Sequence, residues 1–348
     1  MRNALNRFVG FAVAESQSTA LPPLEERPLV TFALFAYNQE KYIREAVEGA
    51  FAQTYEPLEI ILSDDCSTDR TFEIIEEMAS TYDGPHTIIA NRTQRNRGLA
   101  AHIMDVAGIS TGRVLVMAAG DDISYSNRTE LLMKAFFSDK TVHAVFSNFT
   151  IIDESSNPIE PHTEGWSAGD QPDLPLLIRN GGGVGAGAAY AYRKECFFWP
   201  WGLPMSIVSE DRLLPFRAQC IGRIDYISKP LVGYRVSQNS LTQVLKKAQM
   251  LAFQNPGHLE ELNKTVKAAR DQGYLDAKTE KLCLRILREM PRYTDLLTRI
   301  GANKNDVKLK QWILYNWLVR DTLAERLRRK LYSSFSDIRG VRRAPGQK

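Results

Sequence analysis

The stretch Glu59-Ile-Ile-Leu-Ser-Asp-Asp-Cys-Ser-Thr-Asp-Arg-Thr71 joins an apolar run to two adjacent carboxylates and a polar turn. Further along, Val114-Leu-Val-Met-Ala-Ala-Gly-Asp-Asp-Ile123 repeats this order of residue types. Short apolar runs bounded by turn residues are typical of buried strands. A single carboxylate pair after a strand is more often a helix cap or a solvated strand end. Two pairs, each after a predicted strand, indicate a ligand that needs acidic groups there.

Short apolar runs alternate with helical patterns on both sides of this stretch. The predicted strands are Leu29–Ala36, Leu58–Leu62, Thr87–Ala90, Val114–Met117, Ala144–Ile151 and Arg223–Ile227. The predicted helices are Gln39–Gln53, Asp69–Ser80, Leu99–Ala107, Arg128–Phe137 and Glu210–Cys220. This alternation predicts an α/β fold with a mostly parallel sheet flanked by helices. Ligands bind outside the carboxyl ends of the strands in such sheets, where both acidic pairs are expected.

The chain is expected to have three parts. Residues 1–28 form a leader and a Pro-rich linker, residues 29–243 the α/β domain, and residues 244–348 a helical, basic region. The α/β part has an irregular middle, 153–209, with the stretch Asn180-Gly-Gly-Gly-Val-Gly-Ala-Gly187. Because glycine has no side chain, this stretch either approaches a ligand closely or serves as a hinge between strands.

The composition is that of a soluble globular protein, with 44% hydrophobic and 24% charged residues among 348. No apolar run approaches the roughly 18–20 residues that span a bilayer. Four widely spaced cysteines argue against a zinc site and fit a reducing cytoplasm. The net charge is +3, yet residues 304–348 carry twelve basic and four acidic side chains, which indicates an acidic partner for this tail.

Two stretches of the tail, 309–320 and 323–332, combine Trp, Leu and basic residues. This composition is typical of a helix that lies in the plane of a membrane surface. The alternative is an ordinary helix that packs on the α/β domain or on a second subunit of a homo-oligomer. A nucleic-acid partner is not expected, because the basic residues are interleaved with large apolar ones at helical spacing.

The acidic pairs and the basic residues between them favour a nucleotide-diphosphate site. Arg92, Arg95 and Arg97 follow the predicted third strand, and a divalent cation held by the carboxylates would offset the charge of a diphosphate. A third pair, Glu210-Asp211, opens a predicted helix. It either complements the helix dipole or supplies a general base that takes a proton from a hydroxyl.

The chain resembles the family 2 glycosyltransferases in a set of ordered motifs. They are Tyr37-Asn38, Ala52-Gln-Thr-Tyr55, the stretch from Leu58 to Asp69, Asn96-Arg-Gly98, Gly120-Asp-Asp122 and Glu210-Asp211. The resemblance covers about Leu29 to Thr242 and is most specific from Gln53 to Thr71. It implies a GT-A fold and an inverting transfer of a sugar from a nucleotide-sugar donor, a UDP-sugar being favoured, with Mn²⁺ or Mg²⁺.

The resemblance also implies a role for each site residue. Nucleotide-sugar contacts are implied for Ala36, Tyr37, Asn38, Asp64, Asp65, Arg95, Arg97, Gly98, Asp121 and Arg235. Within that set Asp65 would bind the base and Arg235 a phosphate. Asp122 would be the main metal ligand. Asp211 would be the catalytic base, with Glu210 beside it in the acceptor site.

Two departures from the family pattern refine the expectation. Ala119 stands where the Asp-x-Asp-Asp motif has its first Asp, which leaves fewer carboxylates for the metal. The Gln-x-x-Arg-Trp motif of processive members is absent, so addition of a single sugar is expected. The acceptor would be a saccharide, lipid-linked as in bacterial surface polysaccharide assembly. The enzyme would be cytoplasmic and peripheral on the inner face of the cell membrane.

Two other classes of protein stay open. A nucleotidyltransferase also uses strand-end carboxylates and a metal, but normally has a Gly-rich basic signature that Phe32–Asn38 lacks. A non-catalytic sugar-nucleotide-binding protein would retain Asp65 and lose the base, whereas Glu210-Asp211 is present in this chain.

Overall fold

The computed structural model describes residues 20–161, 172–204, 210–236 and 256–299. Within these ranges nine strands form one sheet in the order β3-β2-β1-β4-β8-β6-β9-β5, with β7 paired to β6. The strands are β1 (Val30–Ala36), β2 (Leu58–Asp64), β3 (Thr87–Arg92), β4 (Val114–Ala119), β5 (Ile123–Ser124), β6 (Val142–Ile152), β7 (Pro158–Pro161), β8 (Tyr190–Arg193) and β9 (Arg223–Arg235). The helices are α1 (Ile43–Phe51), α2 (Thr71–Ser80), α3 (Leu99–Ile109), α4 (Arg128–Ser138), α5 (Leu174–Arg179), α6 (Glu195–Phe198), α7 (Glu210–Ile221), α8 (Pro256–Asp271) and α9 (Ala277–Arg299). The chain divides into two units, Met1–Leu287 and Arg288–Lys348, and the strand edge, the glycine stretch and the start of α7 lie in the first.

The predicted α/β fold is confirmed. Strands β3, β2, β1 and β4 are neighbours and run parallel, and β6 pairs in parallel with β9. Strands β1 and β2 are buried along their whole length, as expected for parallel strands covered on both faces. Helix α1 buries Ile43, Ala46, Val47 and Ala50, the apolar stripe that its helical spacing predicted.

The segment 153–209 is more ordered than predicted, and the prediction of an irregular middle was wrong in part. It contains β7, α5, α6 and the short strand β8, which lies antiparallel between β4 and β6. Tyr190 and Tyr192 of β8 are buried, and their ring centroids are 5.0 Å apart. Four residues are too few to establish a two-residue period, so β8 leaves little signal in the sequence. Strand β9 likewise continues to Arg235, beyond the predicted end at Ile227.

The helical region after the sheet contributes to the same unit. Helix α8 packs against α7, and His258 Nε2 lies 2.6 Å from the carbonyl oxygen of Gly181. The expected boundary after residue 243, the first nineteen residues of the leader and the basic tail 304–348 all lie outside the described residues. In the described part of the chain, no helix is long and apolar enough to cross a membrane.

Candidate active site

Three neighbouring strands end at the same edge of the sheet, where both acidic pairs lie. Asp65, directly after β2, donates its backbone N–H to the carbonyl oxygen of Ala36 at 2.9 Å. Gly120, directly after β4, donates to the carbonyl oxygen of Phe35 at 2.8 Å. Because β1 lies between β2 and β4, the two acidic pairs flank its carboxyl end. This edge is where ligands bind in parallel α/β sheets.

Asp64 shapes the turn after β2. It is fully buried and accepts from the backbone N–H of Ser67 at 2.9 Å and from the Ser67 hydroxyl, while Arg92 Nε lies 3.4 Å away. The Ser67 hydroxyl accepts in turn from the backbone N–H of Asn38 at 2.8 Å. Asn38 has a φ of 52°, a left-handed conformation that asparagine tolerates. These contacts join the loops after β1 and β2 and leave the ring of Tyr37 46% exposed at the edge.

Asp65 organises the loop after β3. Its carboxylate, 3% exposed, accepts from the backbone N–H groups of Arg97 and Gly98 at 2.9 Å and from the Thr93 hydroxyl at 3.0 Å. Gly98 has a φ of 77°, which favours glycine. The side chains of Arg95 and Arg97 are exposed on the same loop. The structure therefore brings these four predicted site residues together, while contact of Asp65 with a base stays a prediction.

The second acidic pair follows β4. Asp122 is 5% exposed, and its Oδ1 accepts from the backbone N–H of Arg235 at 2.8 Å. Asp121 is partly exposed. Burial raises the pKa of both carboxyls, and the negative charge of Asp121 raises the pKa of Asp122 further. Among the described residues no three His, Cys, Asp or Glu side chains form a metal-binding group, so this pair supplies at most part of a coordination shell.

Arg235, predicted as a phosphate contact, is 2% exposed and bonded to protein acceptors. Its Nε donates to the carbonyl oxygen of Asp121 at 2.8 Å and its Nη2 to Glu45 Oε2 at 2.6 Å. Its Nη1 donates to the carbonyl oxygen of Asp153 at 2.9 Å, and the guanidinium carbon lies 4.6 Å from the ring centroid of Tyr42. Arg235 thereby joins the end of β9 to the loop after β4. A phosphate would have to replace some of these bonds. The contact of Arg235 with a phosphate therefore stays a prediction.

Glu210 and Asp211 form the first turn of α7, and the glycine stretch 180–187 packs on that turn. A Cβ at Gly183 would lie 1.8 Å from the carbonyl oxygen of Asp211, and a Cβ at Gly187 would lie 2.4 Å from Glu210 Oε1. These glycines therefore permit a close approach to α7, a role that the sequence analysis did not foresee. Burial and the negative charge of Asp211 raise the pKa of Glu210 to about 8. Glu210 therefore keeps its proton to a higher pH than an ordinary glutamate.

Arg128, at the start of α4, is a residue that the sequence analysis missed. It is fully buried, and burial lowers its pKa to about 9 while the charge of Asp122 opposes that change. Its guanidinium donates to Ser124 Oγ (2.8 Å), Met117 O (2.7 Å) and Ala188 O (2.6 Å). Ala188 adjoins Gly187, so Arg128 connects the acidic turn after β4 to the backbone beside Glu210. The available signal was its spacing of four residues from buried Leu132 on the same helix.

Comparison with known proteins matches residues 31–198 to the family model described as "Glycosyl transferase family 2". An uncharacterized protein of Mycobacterium tuberculosis is 44% identical over 88 residues, which are 25% of this chain and 25% of that protein. A chondroitin synthase of Escherichia coli is 30% identical over 155 residues, which are 44% of this chain and 22% of that protein. The match thus spans a quarter or less of the length of these relatives.

Two solved structures share the fold. TarS of S. aureus, solved in complex with UDP-GlcNAc, has a TM-score of 0.50 at 14% identity, covering 80% of this chain and 93% of that chain. A mannosyltransferase of Pyrobaculum calidifontis, solved in complex with GDP-Man and Mn²⁺, has a TM-score of 0.53 at 16% identity, covering 92% of this chain and 84% of that chain. At such identities the likeness concerns the fold alone, and it confirms the predicted GT-A type.

Proposed function

Because residues 31–198 form a family 2 glycosyltransferase domain, we propose that the protein transfers a single sugar from a nucleoside diphosphate sugar to a hydroxyl of a saccharide acceptor, with inversion. A UDP-sugar is the favoured donor, as in the TarS complex. The acceptor is a lipid-linked saccharide of bacterial surface polysaccharide assembly, for which the chondroitin synthase relative gives general support. The basic composition of residues 304–348 supports action at the inner face of the cell membrane.

The observation that carries the proposal is the arrangement of groups at the edge formed by β2, β1 and β4. The exposed ring of Tyr37 and the exposed side chains of Arg95 and Arg97 belong to loops at this edge. An aromatic face suits a nucleobase, and arginine suits the oxygens of a diphosphate. The network around Asp64 and Asp65 fixes those loops in advance, which lowers the entropy lost when a ligand binds.

A divalent cation is consistent with the carboxylates after β4. Asp122 uses Oδ1 for the Arg235 N–H, which leaves its other oxygen for a metal, and Asp121 is partly exposed beside it. Hard divalent cations prefer oxygen ligands, and Mg²⁺ is commonly held by one or two carboxylates plus substrate phosphates. We therefore assign Asp122, with Asp121, to a Mn²⁺ or Mg²⁺ site that the diphosphate completes. Such an ion stabilises the diphosphate as a leaving group.

The chemistry proposed for the chain's own residues is one displacement. Asp211 takes the proton of the acceptor hydroxyl, and the hydroxyl oxygen forms a bond to the anomeric carbon as the bond from that carbon to the diphosphate breaks. Attack from the opposite face inverts the configuration. Burial raises the pKa of Glu210, so Glu210 keeps its proton more readily than an ordinary carboxyl, and we assign the role of base to its neighbour Asp211.

A non-catalytic sugar-nucleotide-binding protein is the second candidate, and one observation favours it. Asp64, Asp65 and Arg235 all bind protein groups, and Ala119 replaces a carboxylate of the family motif. Such a protein would bind the donor at the same edge without consuming it.

Donor binding is tested by thermal unfolding with UDP, dTDP, GDP or CMP, each with and without Mn²⁺. At a hundred times its dissociation constant a ligand adds about 2.7 kcal/mol, which raises the midpoint by about 5–10 °C. We expect one nucleotide to stabilise the protein only with metal. Asp122→Asn should abolish that gain while its amide oxygen still accepts from the Arg235 N–H. Asp83→Asn, on an exposed loop, is the matched control.

Catalysis is tested separately by consumption of a panel of UDP-sugars in the presence of a bacterial lipid extract. We expect the wild type to release UDP and label a lipid-linked saccharide, and Asp211→Asn to bind UDP normally without turnover. Binding of UDP by the wild type with no consumption of any donor would favour the non-catalytic candidate. If no nucleotide stabilises the protein, both the glycosyltransferase and the non-catalytic binding protein are refuted.

A further inference from the structure

A groove of about 720 Å³ lies between the loop Trp201–Pro204 and one side of α8. We call it the Trp201 groove, and its polar lining consists of Glu261, Lys264, Lys267 and Asp271. Its volume is in the range of about 300–1,000 Å³ that is typical of sites for small ligands. The groove does not involve the strand edge at which the donor is proposed to bind.

The tryptophan wall of the groove is held in one orientation. The Trp201 indole N–H donates to Glu261 Oε2 at 2.7 Å. Under the loop, Arg217 of α7 is fully buried and donates to the carbonyl oxygens of Phe197 at 3.1 Å and Gly202 at 3.2 Å. Its guanidinium carbon lies 6.0 Å from the ring centroid of Trp201. These contacts fix the loop and the indole in advance, which lowers the entropy lost when a ligand binds.

The groove is connected to the proposed catalytic base by the elements that form it. Arg217 lies on α7, which begins with Glu210-Asp211. Helix α8 begins beside the glycine stretch that packs on this turn, since His258 contacts Gly181 O. The groove residues Lys264 to Asp271 follow His258 by six to thirteen positions, which corresponds to roughly 9–20 Å along the helix axis. The groove thus lies one to several helical turns beyond the end of α8 that is next to this glycine stretch, a separation that suits sugars attached to the one that reacts.

We infer that the Trp201 groove binds the distal sugars of an oligosaccharide acceptor, an inference that rests on the proposed glycosyltransferase function. The apolar face of a sugar ring packs on the indole, and its hydroxyls bond to Lys264, Lys267 and Asp271. Lys267 and Asp271 are exposed and positioned for such bonds. Lys264 already pairs with Glu260 and Glu261, each at 2.9 Å, and Asp271 offsets the charge of Lys267, so the lining favours a neutral, hydroxyl-rich chain over a polyanion.

The test is binding of the labelled full-length protein to an array of neutral and uronate-containing oligosaccharides, from disaccharides to hexasaccharides. We expect binding that strengthens with length, and a loss of about tenfold in affinity for Lys267→Ala, the effect of one lost bond to a charged donor. Trp201→Phe, which loses the indole N–H bond to Glu261, should weaken binding as well, whereas Lys267→Ala removes only an exposed side chain and should keep the wild-type thermal midpoint. Lys278→Ala, an exposed lysine on α9 outside the groove, should bind like the wild type.

The same preparations are assayed for stabilisation by UDP with Mn²⁺, which reports on the donor site alone. No binding on the array, or equal binding by the wild type, Lys267→Ala and Trp201→Phe, would overturn the inference. If UDP still stabilises the protein in that case, the proposed function stands without the groove. Loss of both signals would overturn the two together. Preferential binding of uronate-containing chains would refute the neutral class of acceptor.

Discussion

Replacement of Glu210 by Gln should remove a cost of folding that grows with pH. The pKa of Glu210 is about 8 in the folded protein against an ordinary value of 4.5. The folded state therefore binds this proton more tightly than the unfolded state, and the wild type loses stability as pH rises from about 4.5 to about 8. At 1.36 kcal/mol per pKa unit the full loss is roughly 3–5 kcal/mol. Glutamine carries no charge, so the Glu210→Gln variant does not lose this stability as the pH rises.

The assay is urea unfolding of the wild type and Glu210→Gln across about pH 5 to pH 9. We expect the stability of the variant relative to the wild type to increase by up to about 1.4 kcal/mol per pH unit and to level off above pH 8. Glu130→Gln is the control. Its hydrogen bond from Lys134 lowers the pKa of Glu130, so this carboxyl titrates below the window and the difference from the wild type should stay constant.

A constant difference between Glu210→Gln and the wild type would refute the reasoning. It would mean that Glu210 is ionised and well solvated at neutral pH. The choice of Asp211 rather than Glu210 as the base would then lose its physical basis, although the fold would be unaffected.

Three further predictions follow from the packing of the site. Gly183→Ala should destabilise the protein by about 1–3 kcal/mol and abolish sugar transfer, because its Cβ would overlap the carbonyl of Asp211; urea unfolding and the donor assay measure this. Arg128→Met should cost about 3–5 kcal/mol in urea unfolding, because it leaves Asp122 without the compensating charge of a buried partner. Asp65→Asn should lower stability by about 1–3 kcal/mol and weaken UDP binding, because one amide cannot accept all three hydrogen bonds from the loop after β3.

Each of these has a control or a contrary outcome. Gly108→Ala lies in open space on α3 and should stabilise the protein by up to about 1 kcal/mol. Arg44→Met removes only an exposed ion pair and should leave the unfolding midpoint nearly unchanged. Wild-type activity in Gly183→Ala would show that the backbone at Gly183 leaves room for a Cβ beside the carbonyl of Asp211. Unchanged UDP affinity in Asp65→Asn would separate the loop after β3 from the donor site.

The strands and helices around the edge formed by β2, β1 and β4 could be predicted because their signals are local. Each of these signals spans only a few neighbouring positions. They are apolar runs of strand length, helical stripes such as that of α1, and the turn residues after Asp64 and Asp121. The sequence also predicted that the two acidic pairs lie at one edge, since parallel strands joined by helices end at the same edge of the sheet. Strand β8 was missed because its place between β4 and β6 depends on pairings with distant segments.

The sequence by itself therefore determined the α/β fold, the carboxylate pairs and the edge at which they gather. Only the tertiary structure decided what those groups contact. It placed the carboxylate of Asp65 against the loop after β3 and the guanidinium of Arg235 against Glu45. It buried Arg128, which donates to Ser124, Met117 and Ala188. It also packed the glycine stretch onto the first turn of α7. Periodicity and turn chemistry act along the chain, whereas burial and hydrogen-bond partners depend on which distant segments the fold brings together.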